Sequence, residues 1–261
     1  MKATWSGFLR IGLVTIPVKL YPAVVKRAIS FHMIHKDCGS RIKYLKYCPR
    51  CDKVLQDEEI VRAYFLDKDH YVVITDEELA SLKLASTDTI EVKYFVDERE
   101  IAPIYYADAH YLLPEGKGGQ EAFAIFYKAM EDKGRAAVGQ AVIRQREYPF
   151  LIKPYQGKFL ASTLHYYQDV IRAEELGIEI REEGLDPRYL ELAERLIDSL
   201  TEHFRPEELV DRYAEAVLKL VEAKARGEKF ELKAAEEKAK VISLMEALKA
   251  SLEKAEKREA A

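Results

Sequence analysis

Short segments rich in β-branched and aromatic residues recur through the first two thirds of the chain, with turn-forming residues between them. Segments of this length and alternation are typical of strands, and regular short strands favour a β-barrel. We expect strands at 8–14, 29–34, 60–66, 71–74, 89–96, 136–144 and 159–166. The charged residues at 67–69 lie between two of these strands and are expected to form a hairpin tip.

Two helices are expected to interrupt the strands. Thr75 and Glu78 have the spacing of a capping box, which predicts that a helix begins there. A second helix is predicted at 120–132, where apolar residues follow at helical spacing. The sequence GKGG at 116–119 precedes it and is expected to be a flexible loop.

The periodicity becomes helical from Asp186, which with Pro187 forms an N-cap and first-turn pair. A helix with an apolar stripe is expected at 192–200, and Pro206 is expected to open another that ends near Gly227. A charged helix is predicted at 231–257. Its apolar stripe consists of Val241, Leu244, Met245, Leu248 and Leu252. This stripe can either fold back onto its own core or bind another protein.

These patterns predict an α+β fold in three parts. A β-barrel core with inserted helices is expected at 1–185, a helical arm at 186–227 and a C-terminal helical segment at 228–261. No run of apolar residues is long enough to cross a membrane, so we expect a protein of the cytoplasm.

The charge of the chain is strongly segregated, although its net value is only -4. Residues 1–55 hold 11 basic against two acidic residues, and 133–172 hold seven against two. The segments 56–132 and 173–223 are acidic, with net charges of -11 and -9. Two basic blocks of this kind can attract phosphates, while the alternative is an ordinary solvated polar surface.

The basic blocks supply ten candidate DNA contacts. They are Arg10, Lys19, Lys26, Arg27, Arg41, Lys43, Lys46, Arg144, Arg146 and Lys153. Arg41 and Lys43 are two positions apart, as are Arg144 and Arg146, so each pair would point to one face of a strand. No base-reading helix accompanies these residues, which favours contacts with the DNA backbone independent of sequence.

Two short knuckles carry all three cysteines of the chain. His35 and Cys38 are three residues apart, and Cys48 and Cys51 follow after nine further residues. Three thiolates and an imidazole are the donors that zinc prefers in closed structural sites. We therefore expect one structural zinc per chain at His35, Cys38, Cys48 and Cys51. His32 or Asp37 are alternatives to His35, and three reduced thiols without a metal remain the competing interpretation.

No catalytic constellation stands out. GKGG lacks the glycine spacing of a phosphate loop and the Ser or Thr that follows it. His165, Tyr166 and Tyr167 are more simply explained by packing, and Glu58 and Glu59 lack a third spaced carboxylate. We expect that the protein is not an enzyme.

Several longer strings resemble successive segments of the bacterial Ku family. They are WSGFLRIGLVTIPVKLY at 5–21, FHMIHKDCGSRIKY at 31–44, EIVRAY at 59–64, YVVITDEEL at 71–79, EIAPIYYADAHYLLPEG at 100–116, STLHYYQDVI at 162–171, LAERLIDSL at 192–200 and VISLMEALKASL at 241–252. Their order and spacing together are highly specific, and they span nearly the whole chain.

The resemblance implies a Ku-type barrel core, similar to SPOC domains, in a homodimer that forms a ring around duplex DNA. It implies binding of double-stranded DNA ends in non-homologous end joining, near the nucleoid, with no membrane involved. It also implies recruitment of ATP-dependent DNA ligase D through the C-terminal segment, for which the stripe at 241–252 is the candidate surface.

Two other functional classes fit part of the pattern. The knuckles and basic strands are also compatible with a zinc-containing barrel that binds RNA or regulates transcription, which would favour single strands or particular sequences. A metal-dependent nuclease would instead shorten linear DNA in the presence of magnesium or manganese.

Overall fold

The computed structural model describes residues 1–25, 29–81, 88–143, 146–228, 245 and 247–251. The chain divides into two compact units, 1–175 and 176–261. Val241, Leu244 and Leu252 of the predicted C-terminal stripe lie outside the described residues.

A closed barrel of seven strands forms the body of the first unit. The strands of this unit are β1 (Trp5–Ile11), β2 (Val14–Pro22), β3 (Tyr47–Cys48), β4 (Lys53–Val54), β5 (Arg62–Phe65), β6 (Tyr71–Ile74), β7 (Thr89–Val96), β8 (Tyr106–Pro114), β9 (Ala136–Ile143), β10 (Arg146–Tyr155) and β11 (Lys158–Leu164). The order around the barrel is β1-β2-β8-β11-β10-β9-β7. The parallel pairing of β1 with β7 closes it, and the other neighbours are antiparallel.

Alternation along the strands fills the barrel with apolar side chains. In β2, Ile16, Val18 and Leu20 are buried at every second position, as expected for a strand with one face in the core. Helix α2 (Gly116–Lys133) packs against this core through Phe123. The Phe123 ring meets that of Phe159 edge-on, with centroids 4.8 Å apart. The expected α+β barrel is thus confirmed.

The segment between β2 and β7 carries smaller elements. β3 pairs with β4, and β5 pairs with β6, which is followed by the short helix α1 (Asp76–Ser81). The capping box is confirmed, since the Thr75 amide donates to Glu78 and the Glu78 amide donates to the Thr75 hydroxyl. The hairpin tip is also confirmed, because Asp67 accepts hydrogen bonds from the Asp69 and His70 amides between β5 and β6.

The second unit contains α3 (Pro187–Ser199) and α4 (Arg212–Ala225). Asp186 caps α3 as expected by accepting a hydrogen bond from the Arg188 amide at 2.9 Å. The expectation for Pro206 is wrong, because Pro206 opens only a single 3-10 turn. Asp211 caps α4 instead and accepts a hydrogen bond from the Ala214 amide.

Three strand predictions agree closely with the structure, namely 60–66, 71–74 and 89–96. The segment 136–144 is a strand as far as Ile143, with Arg144 outside the described residues, and 159–166 ends at Leu164. The segment 8–14 is not one strand, because Gly12 adopts a left-handed conformation and turns the chain from β1 into β2. The segment 29–34 provides only an isolated bridge between Ile34 and Arg41.

The interpretation of GKGG at 116–119 as a loop is wrong, since these residues form the first turn of α2. The predicted strands also omitted β2, β8 and β10, each of which is a full member of the barrel.

Candidate nucleic-acid interface

Two consecutive β-hairpins follow β2, and together they form what we call the cysteine insert, residues 29–60. In the first hairpin, the Ile42 amide donates to the Met33 carbonyl and the His35 amide to the Ser40 carbonyl. The second consists of β3 and β4. Lys46 and Lys53 bind Asp57 and Glu59 of the 3-10 turn that follows, which ties the second hairpin to the end of the insert.

The tips of these hairpins hold the predicted zinc ligands in two pairs. His35 Nδ1 lies 3.1 Å from Cys38 Sγ at the first tip, and at the second Cys48 ends β3 while Cys51 lies in the turn before β4. Hydrogen bonds from Ser40, together with His35, lower the pKa of the Cys38 thiol to about 7. Backbone hydrogen bonds at residues 51 and 50 lower the pKa of Cys48, while the Cys48 side chain raises the pKa of Cys51.

The four ligands do not come together as one cluster. Within the described residues, no three His, Cys, Asp or Glu side chains are grouped closely enough to hold a metal ion. The structure therefore forms each predicted pair, and the single four-ligand site stays a prediction.

Four of the ten candidate DNA contacts are engaged in ion pairs within the chain. Arg10 lies 3.4 Å from Glu91, Lys19 lies 2.6 Å from Glu115, and Lys46 lies 2.6 Å from Asp57. Lys153 of the barrel strand β10 pairs with Glu98, and its side chain is only 23% exposed. These residues contribute less positive field than their number suggests, because each has a carboxylate beside it.

Three further candidates, Lys26, Arg27 and Arg144, lie outside the described residues. The remaining candidates, Arg41, Lys43 and Arg146, are exposed. Arg41 and Lys43 do not lie on one face of a strand as expected, since only Arg41 makes a bridge and neither belongs to a strand.

The cysteine insert also holds two cations that the sequence analysis did not select, Lys36 and Arg50. Both are exposed at the hairpin tips, directly beside the cysteine pairs. Within the described part of the chain, neither they nor Arg41 and Lys43 have a carboxylate at ion-pair distance. Their position inside the knuckle sequences HKDC and CPRC was the available signal. The insert therefore exposes four cations without an ion pair among the described residues, while its six basic and five acidic residues give it a net charge of +1.

Two of the residues considered for catalysis make contacts within the fold. The Tyr166 hydroxyl donates to the Glu147 carbonyl at 2.8 Å, and Glu59 pairs with Lys53.

His110 has a buried Nδ1 without a hydrogen-bond partner, at a pocket of about 300 Å³ beside Trp5 and Tyr148. Burial lowers the pKa of His110.

No described helix has the length and apolar character needed to span a membrane.

The closed barrel and the exposed insert place the chain among β-barrel proteins that carry an appendage between two barrel strands. Comparison with known proteins defines the family more narrowly. The family model of the Ku70/Ku80 beta-barrel domain matches residues 10–188. The chain belongs to this Ku family.

Similar proteins span the whole chain. The non-homologous end joining protein Ku of Archaeoglobus fulgidus is 40% identical, and the match covers 97% of this chain and 99% of the relative. The protein of the same name from Symbiobacterium thermophilum is 38% identical, and the match covers 100% of this chain and 65% of that relative. Among solved structures, the SPOC domain of human PHD-finger protein 3 matches with a TM-score of 0.31 and 10% identity, over 62% of this chain and 95% of that one.

Proposed function

We propose that this protein binds the ends of double-stranded DNA, independent of sequence, during non-homologous end joining. Its full-length relatives bear the name of that pathway. The observation that carries the proposal is the set of four exposed cations on the described cysteine insert that have no carboxylate at ion-pair distance: Lys36, Arg41, Lys43 and Arg50. The protein contributes binding rather than catalysis in this proposal.

Contacts with the DNA backbone fit the geometry of the insert. Residues 29–60 contain two hairpins and a 3-10 turn, so the described insert offers no α-helix for the major groove. Lys36, Arg41, Lys43 and Arg50 are long, exposed cations suited to phosphates. Phosphate contacts position a protein on a duplex without reading its sequence.

We also propose that the DNA-binding form is a homodimer that surrounds the duplex. The chain from 31 to 66 exposes large apolar side chains that its own fold leaves uncovered. Among them are Phe31, Met33, Tyr44, Leu45, Tyr64, Phe65 and Leu66, which are 58–80% exposed. A second copy of the chain would bury these side chains in a two-fold interface.

The decisive experiment compares linear duplex with covalently closed circular duplex of the same sequence. A ring loads only from a free end, so we expect binding to the linear form and at least tenfold weaker binding to the circle. When the ends of the linear DNA are blocked after loading, the protein should stay bound even after competitor DNA is added. Equal affinity for linear and circular DNA would contradict the proposal, and preference for single-stranded RNA would support the RNA-binding alternative.

A charge-reversal pair locates the DNA-binding surface. Arg41→Glu with Lys43→Glu should weaken binding to linear duplex, and the salt slope of log K should fall by roughly 1 for each phosphate that is no longer neutralised. The control is Lys117→Glu, an exposed cation on α2 and outside the insert. If the control and the insert variant weaken binding equally, the insert is not the DNA-binding surface.

We further propose that the C-terminal segment recruits ATP-dependent DNA ligase D. Met245 and Leu248 are the two members of the predicted stripe within the described residues, and both are helical and half-buried. Their three-residue spacing puts them on one face of a helix, as required for docking in a groove.

A further inference from the structure

One end of the barrel contains a pocket of about 300 Å³. It lies where β1, β8 and β10 begin and where β2, β9 and β11 end. Leu20 and Phe150 line it and are fully buried. Trp5, Ile143 and Tyr148 also line it and pack against the barrel core. A pocket of this size with several aromatic side chains suits one small planar ring.

The position of Trp5 at this pocket depends on Gly7, two residues further along β1. A Cβ atom added to Gly7 would lie 2.4 Å from the Trp5 ring, so the indole occupies the space that a side chain at residue 7 would need. Glycine within a strand commonly marks such a close approach. The sequence thus places an aromatic ring at the end of the barrel, and Tyr148 of β10 adds a second.

His110 is the unusual residue of this pocket. It lies two positions before Leu112 of β8, which is 0% exposed, so its side chain belongs to the row that faces the barrel interior. Its Nδ1 is buried and has no hydrogen-bond partner among the described residues, which costs free energy. Burial lowers the pKa of His110, so the ring is neutral at pH 7 and has one donor and one acceptor nitrogen. A small rotation of the ring turns Nδ1 toward a group bound in the pocket.

The other polar residues at the pocket narrow the choice of ligand. The Thr4 hydroxyl donates to the Leu20 carbonyl at 3.2 Å, and the Thr163 hydroxyl donates to the Asp108 carbonyl at 3.3 Å. Asp108 is exposed, and among the described residues no lysine or arginine lines the pocket. A carboxylate in this setting repels phosphate and carboxylate groups. A neutral ligand is therefore favoured over a nucleotide.

We propose that the pocket binds a phenol ring, which packs against Trp5 and Tyr148 while its hydroxyl hydrogen-bonds to His110. A hydroxyl suits this imidazole because it can donate to an acceptor nitrogen or accept from a donor nitrogen. The phenol is either a small free molecule or the side chain of a tyrosine in a protein partner. The site uses none of the cations of the cysteine insert, so this role goes beyond DNA-end binding.

Trp5 is the only tryptophan of the chain, so tryptophan fluorescence reports on this pocket. Titration of the full-length protein with p-cresol, without DNA, should change that fluorescence until it saturates. Toluene lacks the hydroxyl and phenyl phosphate carries negative charge, so each should bind at least tenfold more weakly. The proposal is overturned if p-cresol shows no saturable binding or if toluene binds equally well.

His110→Phe separates binding from folding. It keeps an aromatic ring but removes both nitrogens, so p-cresol should bind about tenfold more weakly. The melting temperature should stay the same or rise, because no nitrogen without a partner remains buried. His70→Phe is the matched control, since His70 is exposed on the hairpin between β5 and β6, and it should retain full affinity. Unchanged affinity for p-cresol in His110→Phe would contradict the proposal.

Asp108→Asn tests the charge at the pocket through an exposed residue. Binding of phenyl phosphate should become at least about threefold tighter, while binding of p-cresol stays within about twofold of the wild type. If phenyl phosphate gains nothing, the carboxylate does not select for a neutral ligand and the assignment fails.

Two further ligands distinguish the sources of the phenol. A blocked Gly-Tyr-Gly peptide that binds at least as tightly as p-cresol assigns the site to a tyrosine of a protein partner, whereas weaker binding of the peptide assigns it to a free phenol. Thymidine that binds more tightly than p-cresol would overturn the proposal in favour of a nucleobase. None of these results depends on whether the protein binds DNA ends.

Discussion

Individual basic residues differ in what they can offer to DNA. Lys19 is held by Glu115 and Lys153 by Glu98, whereas Arg41 and Lys43 lie on the insert without a carboxylate at ion-pair distance in the described structure. An engaged cation must give up its partner, or share it, before it can neutralise a phosphate. The difference explains why a count of charges along the chain overstates the contribution of the barrel strands.

The close approach of the backbones of two neighbouring strands also depends on a single residue, a glycine. Gly139 of β9 lies opposite Val92, where a Cβ atom would stand 2.6 Å from the Glu91 carbonyl oxygen. Gly118 in α2 has nothing within 4 Å of the same added atom.

We predict that Gly139→Ala destabilises the protein by about 1–3 kcal/mol, because neighbouring backbone must shift to admit the methyl group. Gly118→Ala, its control, should stabilise by about 0.5–1 kcal/mol through helix propensity. Urea denaturation of both variants measures the two values. Equal effects would show that the backbones of β7 and β9 pack less closely than these distances indicate.

At the scale of elements, proline explains which strands escaped prediction. β2 contains Pro17 and Pro22, and β10 contains Pro149 and Pro154. β8 ends at Pro114. Proline within a run of strand-forming residues argues against a central strand, because it has no amide hydrogen to donate to a neighbouring strand. Here the barrel tolerates it, and Pro17 still accepts a hydrogen bond from the Glu115 amide. Local patterns without proline, such as 71–74 and 89–96, were predicted correctly.

Helix α2 packs against the barrel core with one face and exposes the opposite face. Phe123 is 6% exposed and stacks edge-on with Phe159, while Ile125 on the same helix is 60% exposed.

Phe123→Ala should therefore cost about 3–5 kcal/mol of unfolding free energy, because it removes apolar packing and leaves a cavity. Ile125→Ala should stay within about 0.5 kcal/mol of the wild type. Thermal and urea unfolding check both, and a neutral Phe123→Ala would mean that α2 contributes little to the barrel core.

For the whole molecule, the proposed function requires surfaces beyond the barrel. The parallel β1–β7 pairing closes the barrel and leaves no open strand edge in it, so association by addition of a strand to the barrel is not available. The helices α3 and α4 bury only Val217 and Ala223 among their described residues. The exposed apolar surface on both parts is consistent with proposed assembly into a dimer that engages a ligase.

Leu248→Asp should abolish recruitment of DNA ligase D and leave affinity for linear duplex unchanged. Ser251→Asp is the control, because it adds the same charge at an exposed position of the same segment. Calorimetric titration with the ligase measures recruitment, and a melting scan of the variant reports folding. Loss of folding would instead support docking of the stripe onto the chain itself.

The sequence by itself determined the elements with strong local signals: the capping box at Thr75, the N-cap at Asp186, the hairpin tip at Asp67 and the ligand spacing of the knuckles. Each depends on residues a few positions apart, whose chemistry acts locally. Only the tertiary structure decided the barrel order, the strands that contain proline and the ion pairs that neutralise Arg10, Lys19 and Lys153. Those features depend on interactions between distant segments, which local periodicity does not encode.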